Sequence, residues 1–142
     1  FPLLDNYKIA KPIIVKHAQT GFLPLNSHYF FSETDSTLRY ISYDWERDQF
    51  GNFFKKQEMW KEESTKLNEY NKEYERIKTC AISQFGRPTE EDITLQKEKS
   101  TNERPDFYTR TTVWETDLYY AKLKLIFESI TYRIRLNYYW KK

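Results

Sequence analysis

The chain has 142 residues, 39% hydrophobic and 31% charged, with 23 Lys and Arg against 21 Asp and Glu for a net charge of +2. This length fits one domain with a single core, and so small a charge does not mark a nucleic-acid binder without a concentrated patch. A lone cysteine, Cys80, excludes an internal disulfide, and no apolar run approaches the ~18 residues that span a membrane.

Residues 1–27 carry Pro2, Pro12 and Pro24 and show no helical period, so they read as an extended arm with a short strand at "PIIVKH". The arm opens "FPLLDNYK" without a Met, which fits a processed product whose missing start carried an export signal. Residues 28–45 read as a hairpin, with two β-prone runs flanking the turn formers "SETDS". Its second run alternates, placing Arg39, Ile41, Tyr43 and Trp45 on one face and Leu38, Tyr40, Ser42 and Asp44 on the other.

The period then changes. Trp60, Leu67, Tyr70, Tyr74, Ile77 and Ala81 recur at three- and four-residue steps, which predicts an amphipathic helix over 52–85, stopped by Gly86 and Pro88. Such a helix runs roughly 50 Å, against roughly 37 Å for a strand of about eleven residues. It therefore overhangs the sheet, kinks, or yields its first turns near "GNFFKK" to a separate piece. Thr89 and Asp92 resemble a capping box, so a helical turn followed by a charged loop is expected over 86–106. The acids there lack the alternation and glycine of a calcium loop.

The last third predicts a three-strand meander at 107–115, 118–127 and 130–140, with tight turns at "TD" and "ES". The expected register sets Phe127 opposite Ile130, Glu115 opposite Leu118, and Arg110 opposite Leu123, either snorkelling at an edge or paired inside. On the other face it sets Lys124 opposite Arg133 and Lys122 opposite Arg135, with Tyr120 and Tyr139 at the border. Like charges directly across a ladder repel. Either acids from elsewhere, such as Glu98 and Glu103, answer them on a solvated face, or the face docks an anionic partner. Solvation is the plainer reading. The central outward positions are cationic, not aromatic, which argues against a stacking platform for single-stranded nucleic acid.

Catalytic and metal chemistry finds little to stand on. His17 and His28 have no second ligand or nucleophile in sequence, and Cys80 has no Cys or His at metal-ligand spacing. The three glycines form no phosphate loop. Glu115 and Asp117 beside Trp114 are the nearest approach to a carboxylate pair, but turn chemistry accounts for Asp117. No catalytic residue, cofactor or metal is assigned.

The order of a helix, "QFGRP", a charged loop, the Trp-bearing hairpin "TTVWETDLYYAKLKL" and a final "YRIRLNYYW" resembles small uncharacterised exported proteins and lipoproteins of Gram-negative bacteria, over roughly residues 50–140. The resemblance implies an envelope location and a binding or structural role, and it carries over no functional residues. The fold expected is α+β: an antiparallel sheet of about five strands with one long helix across one face. Its core would set Trp60, Leu67, Tyr70, Tyr74 and Ile77 against Trp114, Leu123, Leu125, Tyr132, Ile134 and Leu136.

Three functions compete: a non-catalytic exported binding or structural module, an intracellular protein using the basic face on an acidic protein or nucleic acid, and an enzyme with a spatially assembled acid pair. The expected partner is an acidic protein or anionic polymer, and a free sheet edge would also allow a homodimer.

Overall fold

The computed structural model describes residues 8–47, 61–98, 107–128 and 131–141. In chain order they form β1 (Ile13–Lys16), β2 (Leu25–Phe31), β3 (Leu38–Trp45), α1 (Leu67–Phe85), β4 (Glu90–Glu91), β5 (Gln96–Glu98), β6 (Phe107–Glu115), β7 (Tyr119–Phe127) and β8 (Tyr132–Trp140). All eight strands join one antiparallel sheet in the order β1-β2-β3-β8-β7-β6-β4, with β5 also on β6. The fold is α+β, as expected, but the sheet has eight strands and not about five.

The alternation of β6, β7 and β8 puts Trp114, Ala121, Leu123, Leu125, Phe127, Tyr132, Ile134 and Leu136 on one face, all buried. The helix lays Tyr70, Tyr74, Ile77 and Ala81 onto them. This core is the one the 3.6- and 2-residue periods specify. Leu123, Leu125 and Ile134 are fully buried, worth about 1.5–3 kcal/mol apiece. Leu67 packs at the margin, and Trp60 lies outside the described residues.

The helix is shorter than its period suggested. A helical turn at 61–63 ends in a turn at Ser64–Thr65, and α1 then runs 19 residues. Local bonds close that turn: the Ser64 and Thr65 hydroxyls donate to the carbonyls of Lys61 (2.8 Å) and Glu62 (2.7 Å), competing with helix propagation. Glu63 is buried there, accepting from the Tyr70 hydroxyl at 2.5 Å and Lys66 at 3.0 Å and pairing with Arg47 at 2.9 Å. At about 28 Å, α1 matches nine-residue strands of about 30 Å, so it does not overhang. Residues 52–60 of the expected helix lie outside the described residues. The helix ends at Gly86, whose φ of 83° is open to glycine; its carbonyl accepts from the Trp114 indole at 2.9 Å.

The expected helical turn after Pro88 is instead the short edge strands β4 and β5. Thr89 and Asp92 cap no helix. Thr89 N–H donates to the Val113 carbonyl and its hydroxyl accepts from Glu115 N–H, while the Asp92 carboxylate accepts from Thr111 N–H at 3.0 Å. Side chains that can cap a helix equally satisfy a sheet edge, and the unpaired edge of β6 was the nearer customer.

Both meander registers are displaced by two residues from expectation. Phe127 pairs with Tyr132 and not Ile130; Glu115 pairs with Tyr120 and not Leu118. Moving a turn by one residue moves the register by two, which keeps every side chain on its face. At the first turn the Thr116 hydroxyl accepts from the N–H groups of Leu118 and Tyr119, both at 3.2 Å, fixing Asp117–Leu118 at the tip.

Candidate functional site

The face of the sheet away from α1 is a grid set by the registers. One row crosses four strands as Phe30, Tyr40, Tyr139 and Tyr120. The next is His28, Ser42, Asn137 and Lys122; the third is Asn26, Asp44, Arg135 and Lys124. The face is hollow: Tyr40, Ser42, Asp44 and Tyr139 are buried, and among the described residues no helix lies over them. A recess of ≈ 360 Å³ opens over β7 and β8, lined by Tyr120, Lys122, Lys124, Arg133, Arg135 and Tyr139 among others. A second, of ≈ 340 Å³, opens over β2 and β3 and shares Arg135.

The structure thus gathers all six residues expected on the basic surface around one hollow. Their cross-strand partners differ: Lys124 faces Arg135, Lys122 faces Asn137, and Arg133 faces Ile126. One like-charge pair remains where two were expected. The acids that answer the cations come from β3 and its end, not from Glu98; Glu103 lies outside the described residues. Asp44 pairs with Arg135 and lies 3.6 Å from His28. Glu46 lies near Arg133 and Arg135; burial raises its pKa, and Arg133 opposes that rise.

The neutralisation is incomplete. Among the described residues, Lys122 and Lys124 have no ion-pair partner, and Arg133 Nε is buried without a hydrogen bond. Asn137 is held by its oxygen, which accepts from the hydroxyls of Tyr40 (2.8 Å) and Ser42 (3.0 Å), so its Nδ2 remains a donor at the recess wall. Tyr120 and Tyr139 stack at 5.2 Å and 14°. Burial raises both phenols, that of Tyr139 to about 12, so both are neutral donors at ordinary pH.

Asp44, His28, Ser42 and Asn137 were not singled out from sequence. The face of Tyr40, Ser42 and Asp44 was legible in the alternation of "RYISYDW", but the pairing of β3 with β8 spans some ninety positions and leaves no local signal. The carboxylates at the other hairpin are occupied otherwise: Glu115 is exposed and paired with Lys141 at 2.9 Å, and Asp117 is exposed at the turn tip. His17 is exposed, its Nε2 2.8 Å from the Ser27 hydroxyl. Cys80 is exposed, and no cluster of metal-ligating side chains exists among the described residues. No helix among them is long and apolar enough to cross a membrane. No family model, curated protein or solved structure matches this chain.

Proposed function

We propose that this protein is a non-catalytic binding module whose hollow sheet face takes an anionic ligand. One observation carries the reading: Lys122 and Lys124 are half-buried on the wall of a recess, side by side with Arg133 and Arg135, without acids of their own among the described residues. Holding like charges together costs stability, and a bound anion would return it. Asp44 and Glu46 offset Arg135 and Arg133 but leave the lysine side of the recess positive. An envelope location is proposed with it on the resemblance of residues 50–140 alone, and fractionation of the native host tests that separately.

Inorganic tripolyphosphate is a suitable probe because it needs only charge. Calorimetric titration should show binding that weakens with added salt. The double variant Lys122→Ser, Lys124→Ser should lose affinity by roughly 10-fold or more. It should also melt no lower than the parent, since neither lysine holds a structural partner among the described residues. Equal affinity in the variant, or no binding by the parent, would remove the reading.

A further inference from the structure

We infer that the ligand is an acidic disaccharide, with its carboxylate over Lys122 and Lys124 and a neutral ring over Asp44. The inference rests on the anion-binding reading above and narrows it.

The hollow is polarised across the strands. Its β7 side presents the two lysine ammoniums, its centre Arg135, and its β3 side the Asp44 carboxylate beside His28 and Ser42. A long polyphosphate or nucleic-acid backbone that crosses from β7 to β3 would meet Asp44 as a repulsive element, which a short one held on the lysine side avoids. A ligand with one anionic end and a polyhydroxylated end would not. Hydroxyls are the groups that use both sides of such a site, donating to Asp44 and accepting from Asn137 Nδ2 and the Arg135 guanidinium. The aromatic row supports the same choice. Tyr120 and Tyr139 turn their ring faces on each other, as the 14° stack shows, and Tyr40 lies beside Tyr139 at 5.5 Å. Rings packed this way present edges, and not the open faces that a nucleobase requires.

Size agrees. The recesses of ≈ 360 and ≈ 340 Å³ are each near the lower limit for a small-molecule site. From β7 to β3 is two strand spacings, ~10 Å, a span that two linked six-membered rings cover.

The test compares cellobiouronate, a glucuronate ring linked to a neutral glucose, with its methyl ester, nearly the same in shape and uncharged, by titration into the full chain. The acid should bind at least about 10-fold more tightly than the ester. Asp44→Asn keeps the side-chain shape and removes the acceptor charge. It should lose about 10-fold for cellobiouronate while binding tripolyphosphate as well as the parent or better, a crossover that general damage to the fold could not produce. Should the parent bind tripolyphosphate but not cellobiouronate, or acid and ester alike, the saccharide inference fails and the anion site stands. Should it bind neither anion, both fail.

Discussion

Arg110 shows how much one side chain can hold. Sequence placed it on the apolar face of β6 and left open whether it escaped or was paired; it is 1% exposed and paired. Its guanidinium donates to the Asp92 carbonyl (3.1 Å), the Ile93 carbonyl (2.5 Å) and Asn71 Oδ1 (3.0 Å), pairs with Glu75, and lies 4.8 Å from the centre of the Tyr74 ring. It therefore joins the sheet, the helix and the β4–β5 connection through a rigid five-donor fork that lysine cannot copy. Arg110→Lys should cost about 2–4 kcal/mol in urea unfolding, because it puts a buried ammonium where the fork of hydrogen bonds to Asp92, Ile93 and Asn71 is lost. A loss below about 1 kcal/mol would mean that water can replace the fork. Period could put Arg110 among the core positions, but its partners come from two other elements, and no local pattern names them.

At the scale of elements, the stop of α1 couples backbone conformation to packing. Gly86 has φ 83° and ψ −154°, a region that essentially only glycine enters. No atom lies within 4 Å of where a Cβ would stand, so a side chain there would be strained without being crowded. The same residue's carbonyl receives the Trp114 indole N–H, and Phe85 packs 5.6 Å from that ring. Gly86→Ala should cost about 1–3 kcal/mol, and near-ultraviolet dichroism should report a changed Trp114 environment. A variant with unaltered melting would show that the helix end relaxes freely. The stop itself was legible, since glycine followed by proline is a strong terminator. The helix start was not, because the apolar period runs through 64–65 and does not register that Ser64 and Thr65 bond back to the carbonyls of Lys61 and Glu62.

At the scale of the whole molecule, the tyrosines make stability fall in alkali. Burial raises the phenols of Tyr40, Tyr43, Tyr70, Tyr74, Tyr120, Tyr132, Tyr138 and Tyr139 above their ordinary value. For Tyr70, the hydrogen bond to Glu63 adds to that rise; for Tyr74, the bond to Thr112 at 2.6 Å opposes it. A raised acid pKa means the folded state holds its proton longer than the unfolded chain. The stabilising contribution is therefore whole below about pH 10 and falls as pH rises through and past that value. Urea midpoints should be flat approaching about pH 10 and drop steeply above it, with tyrosinate absorbance rising together with unfolding. Smooth phenol titration ahead of unfolding would contradict the burial that the structure assigns. The two sheet edges also differ at this scale. β4 and β5 are short and carry Glu90, Glu91, Lys97 and Glu98, whereas β1 exposes Ile13 (57%), Ile14 (55%) and Val15 (40%) at the other edge.

By itself the sequence determined the α+β class, the identity of the core, the three closing strands, and the face on which the four cations stand. These follow from periodicity, which is local: a two-residue repeat assigns sides whatever the strand order, and a register error of two leaves the sides untouched. Tertiary structure alone decided that the charged stretch after Pro88 would cover an edge, and that β3 would pair with β8. The last choice brought Asp44 to Arg135 and Asn137 under Tyr40, and so turned a row of cations into a polarised hollow. Contacts of that range are selected by how the complete set of strands and the helix bury apolar surface together, a quantity no single segment carries.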